Sequence, residues 1–334
     1  MTLRIPYSEV LLTLQRLFVK NGFAATDAEA CALLFAKASL EGVPSHGLER
    51  VTVFLDMVKT GLVNPKAKPT LLDQFGSFER WSGNLGPGPL NAQFCMDRAI
   101  LLSKEFGIGL VAVQQTNHWM RAGNYGWQAA EADVIGICWT NTKPNMPAWG
   151  GSEPKLGNNP LVVGIPRKEG HIVLDMAMSQ FSYGKMKQYL RDGRQMPYEG
   201  GFDSQGKLTK EPKEVISNEL ALPIGLWKGA GFSLVLDMLA ALLSGGNAVH
   251  QIGETGSEYG LSQVFLCLDP GKLGFADSID SVLGNIVEDF LSSETFTGNV
   301  IRYPGQNIPE IRAKNLAEGV PVELGVWQGI LDRL

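Results

Sequence analysis

Gly229-Ala230-Gly231-Phe232-Ser233-Leu234 and Gly86-Pro87-Gly88 are the nearest approaches in this chain to a dinucleotide turn, and neither completes one. That turn needs Gly-x-Gly-x-x-Gly directly after a strand, so that the backbone can approach a pyrophosphate at a helix start. Leu234 stands where the third glycine belongs, and Leu222-Pro223-Ile224 just upstream contains a proline. The earlier stretch has a proline inside it and no third glycine in register. The chain therefore reads as a non-Rossmann protein. Gly201-Phe202-Asp203-Ser204-Gln205-Gly206-Lys207 imitates a phosphate loop, but Leu208 replaces the hydroxyl that would hold Mg²⁺, and its flanks are polar. Trp227-Lys228 before the glycines leaves two readings open. Either the lysine and the first amides of a helix attract an anion, or the lysine is an ordinary surface residue.

Working outward, the first seventy residues read as three helices: 8–20, then a second running to Gly42 from a capping box at Thr26-Asp27-Ala28-Glu29, then a third ending at Gly61. From about Leu71 the texture changes to short β-like runs at 110–114, 134–140, 161–165, 172–176 and 264–268. Helical patterns at 90–105, 125–132, 181–191 and 232–244 alternate with them, and 198–212 reads as a loop or exposed hairpin. The tail returns to helix through 281–291, 309–316 and 321–334. The predicted fold is α+β: a central mixed sheet domain (71–276) beside a helical domain built from both chain termini (1–70 and 277–334).

The composition excludes several classes. With 334 residues, 44% of them hydrophobic and 19% charged, the chain can bury a sizeable core. A net charge of −5 without a compensating Lys/Arg cluster argues against nucleic acid. The sequence shows neither a signal-peptide core at its start nor a charge-free apolar run long enough for a bilayer. Cys31, Cys95, Cys138 and Cys267 are isolated, with no histidine at ligand spacing. Reduced thiols, no metal and a cytoplasmic setting are the expectations.

Chemistry concentrates in two stretches. Ser45-His46-Gly47-Leu48-Glu49-Arg50 places a hydroxyl, an imidazole and a guanidinium where a helix begins. An imidazole titrates near neutral pH, and an arginine one turn on can fork onto a carboxylate. The plainer reading makes Ser45 a helix cap and His46 a solvated loop residue. The second stretch, Asn117-His118-Trp119-Met120-Arg121, follows a strand, and Thr140 ends the next one; open sheets place ligands at such ends. Asp175, an acid inside the apolar run Ile172-Val173-Leu174, needs a partner, and orienting a histidine is one such role. On the residues alone, His171 and His250 read as surface groups.

In order and spacing, Ser45-His46-Gly47 with Arg50, Asn117-His118, Pro147 with Gly150-Gly151, Gly157-x-Asn159-Pro160, Asp175-Met176-Ala177 and Lys228-Gly229-x-Gly231 resemble the malate/L-lactate dehydrogenase type 2 family. The resemblance covers nearly the whole chain. It implies a homodimer with a non-Rossmann nicotinamide site, using NADH or NADPH to reduce a small 2-oxoacid, with His46 as general acid. It places cofactor segments at His171, Ile172, Val173, Leu174, Asp175, Met176 and Ala177, at Trp227-Lys228, and at Gly305-Gln306-Asn307. Asp175 would hold the His46 imidazole, Arg50 would clamp the substrate carboxylate, and Ser45, His118 and Thr140 would add polar contacts. The stretch from Asn117 through Trp127 to Asn141 favours a sugar-derived oxoacid over malate, lactate, ureidoglycolate or a cyclic imine acid. A sugar-acid binding protein without catalysis is the rival outside the enzyme class. Two departures from the family pattern stand out. Asn158 occupies a usual threonine position, and Gly305-Gln306-Asn307 lacks the acid common after Pro-Gly.

Overall fold

The computed structural model describes residues 1–334 except Thr297. A short strand β1 (Thr2–Ile5) leads into helices α1 (Tyr7–Lys20), α2 (Ala25–Leu40) and α3 (Leu48–Lys59). Strands β2 (Thr70–Phe75) and β3 (Phe78–Ser82) form a hairpin, α4 (Gly88–Phe106) leads into β4 (Ile108–Thr116), and α5 (Gly123–Glu131) into β5 (Ile135–Thr140). A small ladder of β6 (Met146–Pro147) with β7 (Pro154–Leu156) precedes β8 (Leu161–Ile165) and β9 (Ile172–Met176). After α6 (Tyr183–Arg191) come the hairpin β10 (Gly201–Phe202) and β11 (Leu208–Thr209), then α7 (Pro212–Asn218), α8 (Trp227–Ser244), α9 (Val249–Glu254) and β12 (Leu261–Leu268). The chain finishes through α10 (Ala276–Leu291), α11 (Ile308–Glu318), β13 (Val320–Glu323) and α12 (Leu324–Leu331).

The large sheet is mixed, with strand order β2-β3-β4-β12-β5-β8-β9 and one parallel pair, β3 with β4. Helices α4 and α5 cover one face, over Met96, Tyr125, Trp127 and Phe265. Helix α8 covers the other through Leu236 and Ala240, beside Met178 and Met186. Because β12 runs antiparallel to both neighbours, its first residues lie where those strands end. Leu261 pairs with Thr116, and Gln263 with Thr140.

The terminal elements share one core, in which Leu14, Phe18, Phe35 and Phe54 pack with Val320, Trp327 and Ile330. Two expectations fail here. Helix α2 begins before Thr26, so the capping box goes unused, and Asp27 instead pairs with Lys68. The stretch from Pro321 opens as strand, not helix. Val320 and Val322 alternate inward, and β13 pairs with β1 from Thr2↔Glu323 to Ile5↔Val320. Pro321 costs little on such a two-stranded ladder. Among the described residues, Trp227–Ser244 is long and apolar enough to cross a membrane by length and composition. In the fold it lies on the sheet, where its Asp237 accepts hydrogen bonds from Asn141 Nδ2 and Val249 N–H, each at 2.9 Å.

Candidate active site

The turn Pro44–His46 is a single 3-10 turn between α2 and α3. The first amide of α3, on Leu48, donates to the buried Oγ of Ser39 at 2.8 Å. Ser39 therefore caps the helix from outside the turn, and Ser45 is free for other work. Its Oγ lies 3.3 Å from His46 Nδ1, and its Cβ packs against Gly184 in the first turn of α6, where a Cβ would come within 2.8 Å.

The strand-end loop after β4 brings His118 to the same place. The two imidazoles stack with centroids 5.8 Å apart and ring planes 15° apart. Glycine at position 88 makes this possible, because a Cβ there would run into the carbonyl oxygens of Asn117 and His118. Gly86-Pro87-Gly88 is thus a packing turn that seats the His118 loop. Met120 N–H donates to His118 Nδ1 at 3.0 Å, which assigns His118 the neutral tautomer with its proton on Nε2. Both rings are partly open to solvent. Burial chiefly, then the charge of Arg50, lowers His118 to about 3. Burial, then His118 and Arg50, lower His46 to about 3; Glu258 opposes them, and Arg121 adds to the depression.

Arg50, in the first turn of α3, faces Glu258 with Nη2 3.7 Å from Oε2. Glu258 belongs to the loop before β12, and Lys143 N–H donates to its Oε1 at 3.4 Å. Lys187 of α6 joins the group. Burial first, then Arg50 and Lys143, lower its pKa, while Glu258 raises it. Beneath the His46 turn, the fully buried Glu41 pairs with Arg121 and with Arg312 of α11, the latter at 2.8 Å through Nε.

Two expected contacts are not formed. Asp175 Oδ2 accepts from Gly123 N–H at 2.7 Å, and no hydrogen bond joins it to His46 among the described residues. Asp175 sits opposite Val162 on β9 with its surface open, yet the protein around it raises its pKa by desolvation, against the Gly123 bond and the Arg121 charge. Thr140 is 2% exposed, and its hydroxyl is spent on the carbonyls of Asn141 at 2.9 Å and Ser262 at 3.3 Å. It ties β5 to β12.

Of the three segments expected to hold a cofactor, 171–177 and 305–307 adjoin each other at the edge strand β9, and Trp227-Lys228 follows a contact just past its end. Val173 N–H donates to Pro304 O at 3.0 Å beside Gly305, and Ile224 N–H donates to Met178 O at 2.8 Å just ahead of Trp227-Lys228. His171 packs edge-on against Trp127 at 5.7 Å, and its Nδ1 accepts from Arg167 N–H at 3.2 Å. Gln306 closes its own turn by accepting from Tyr303 N–H at 3.1 Å, and Asn307, with its amide oxygen toward Arg302, accepts from Nε at 3.3 Å. Gly229 is required by packing, since a Cβ there would strike Ile224 O.

With this geometry in view, the comparisons are decisive. The malate/L-lactate dehydrogenase family model matches residues 5–331. The chain belongs to the malate/L-lactate dehydrogenase family. It is 42% identical to a 2,3-diketo-L-gulonate reductase of Klebsiella pneumoniae over 330 residues, 98% of this chain and 99% of that one. Malate dehydrogenase from Entamoeba histolytica has a similar structure, with a TM-score of 0.94 at 26% identity, covering 100% of this chain and 97% of that chain. Sulfolactate dehydrogenase from Methanocaldococcus jannaschii gives 0.91 at 26% identity, covering 99% and 96%. As a family member the chain is a nicotinamide-dependent oxidoreductase acting between a CH–OH group and a ketone of small oxoacids.

The residues around β9 fit such a cofactor. Helix α8 starts at Trp227, after an N-cap Leu226 at φ 60 that offers no side-chain cap, and the positive end of its dipole suits an anion. Lys228 is exposed there with no side-chain hydrogen bond or ion pair among the described residues, and Trp227 next to it is 63% exposed.

Sequence reading missed Glu258, Lys187 and the Glu41 pair. It searched strand C-terminal ends, whereas Glu258 lies at the beginning of a strand that the mixed sheet runs backwards. The signal was the acid in the polar segment Gly256-Ser257-Glu258-Tyr259-Gly260 abutting an apolar strand.

Proposed function

We propose that the protein is a cytoplasmic, homodimeric NADH-dependent reductase of 2,3-diketo-L-gulonate, yielding 3-dehydro-L-gulonate, with NADPH as the alternative donor. The observation that carries the catalytic assignment is the difference between the two stacked imidazoles. His118 Nδ1 is committed to Met120 N–H, whereas His46 Nδ1 faces only the Ser45 hydroxyl, which can accept or donate as the ring changes charge. His46 is the general acid, delivering its proton to the alkoxide that develops at C2. His118, through Nε2–H, is a neutral donor to a substrate oxygen. Arg50 forks onto the substrate carboxylate, and Ser45 steadies the His46 ring.

Residues 171–177, Trp227-Lys228 and Gly305-Gln306-Asn307 hold the cofactor, and Asp175 belongs to that strand. The bound nicotinamide supplies the hydride to the ketone carbon. On this reading the substrate binds between the helical unit (1–70 with 277–334) and the sheet unit (71–276). The dimer reading is supported by the outer face of α8, where Phe232, Val235, Met238 and Leu242 are exposed at 45%, 48%, 51% and 75% in one stripe. The four free, buried cysteines support the cytoplasmic setting.

Nicotinamide absorbance tests this reading, with a panel of 2-oxoacids against both reduced cofactors. Fastest turnover of 2,3-diketo-L-gulonate with NADH is the expected result. Preference for oxaloacetate, or no oxidation with any oxoacid, overturns it.

A further inference from the structure

Glu258 is an acid beside the arginine proposed to receive the substrate carboxylate. It comes from the sheet unit and faces Arg50 of α3 across the cleft, Nη2 to Oε2 at 3.7 Å, with its side chain 19% exposed. Its one hydrogen bond among the described residues, from Lys143 N–H at 3.4 Å, is long. Both carboxylate oxygens therefore keep acceptor capacity. The neighbouring cations are Arg50, Lys187 and Lys143, and Lys143 is already taken by Glu219. His118 and His46 are neutral and Arg121 is paired with Glu41. Arg50, paired with Glu258, and Lys187, on which the Glu258 charge acts, thus leave this cluster one net positive charge, enough for a single substrate carboxylate. A second substrate carboxylate would meet Glu258, whereas chain hydroxyls would donate to it.

We propose that Glu258 is a specificity-determining residue that admits 2-oxoacids with one carboxylate and a hydroxyl-bearing chain and rejects 2-oxo dicarboxylates. This rests on the oxoacid-reductase reading above and adds the property that sorts substrates within it. Like charge in a partly dry cleft is a strong discriminator, and an acceptor left unpaired by a hydroxyl-free substrate adds to it.

The test compares kcat/KM for 2,3-diketo-L-gulonate and oxaloacetate in wild type and Glu258→Gln. The expected result is a crossing: the variant loses on the hydroxylated acid and gains on oxaloacetate, moving the ratio by about tenfold or more. A merely structural defect lowers both together and leaves the ratio unmoved, which overturns the proposal. The wild-type protein supplies a second arm that needs no variant. Oxaloacetate 4-methyl ester, with one charge removed far from the ketone, should be reduced about tenfold better than oxaloacetate; equal rates overturn the proposal. If wild type reduces the hydroxylated acid but neither arm shows discrimination, Glu258 alone is misassigned. If wild type reduces no oxoacid with either cofactor, the oxoacid reading fails and this proposal with it.

Discussion

The imidazoles of His46 and His118 stack 5.8 Å apart, and of the two only His118 is pinned to a backbone amide. The pair shares one desolvated cleft beside Arg50, and at neutral pH both rings are uncharged in the free protein. A general acid must nevertheless carry a proton when hydride arrives. On the proposed reading the substrate supplies the condition, because a carboxylate on Arg50 would cancel one of the charges that depress His46.

Substrate binding should therefore take up a proton. His46 is held at about 3 in the free cleft, and a bound anion moves its pKa upward, so between those two values the complex holds the extra proton. Calorimetry of oxamate binding to the NADH complex, in buffers of different ionisation enthalpy and at pH values from about 4 to 7, should show net proton uptake. In Arg50→Gln the linkage should shrink. Zero linkage in the wild type contradicts the coupling.

The clamp itself is tested by charge geometry. A guanidinium pairs with a carboxylate through two parallel bonds, which an ammonium cannot reproduce. Arg50→Lys should lose much of kcat/KM for 2-oxoacids while NADH affinity hardly changes. A 2-oxoacid should also be reduced far better than its C1 methyl ester, and equal turnover of acid and ester rules out the clamp.

Lys228 is the residue proposed to meet the cofactor's charge. An exposed cation at an uncapped helix start suits a phosphate, and a charge-assisted contact is worth roughly 1.5–3 kcal/mol. Lys228→Ala should weaken NADH about tenfold or more in a fluorescence titration. Unchanged affinity returns Lys228 to the solvent.

Glu41 predicts a stability effect. It is fully buried between Arg121 and Arg312, so Glu41→Ala strands two guanidinium groups, one of them only 4% exposed. Breaking such an arrangement costs about 3–5 kcal/mol, which a denaturant titration reads directly. A loss below about 1 kcal/mol would mean that water relieves both arginines.

Much of this was legible in the sequence for physical reasons. The runs at 161–165 and 172–176 became β8 and β9 to the residue, because short, mainly apolar runs set off by Pro160, Pro166 and Gly170 admit few alternatives. The missed hairpin β2–β3 sits at the sheet edge, where Leu71, Leu72 and Phe75 are exposed and give no inward pattern. Helix α8 began five residues earlier than its pattern at 232–244, because Trp227, Lys228 and Gly229 carry no helical periodicity. The cleft pairings lay beyond sequence reading. Asp175 meets Gly123, and Glu258 meets Arg50, only because α5 crosses β9 and β12 runs against its neighbours.

His46 as proton donor is the claim on which the rest depends, and turnover of the purified His46→Asn protein tests it most directly. Asparagine keeps a polar group of similar reach but cannot deliver a proton. The account predicts a kcat lower by about 10²–10⁴-fold on 2,3-diketo-L-gulonate, with the NADH dissociation constant unchanged. Turnover near the wild-type rate, with cofactor affinity intact, would contradict it.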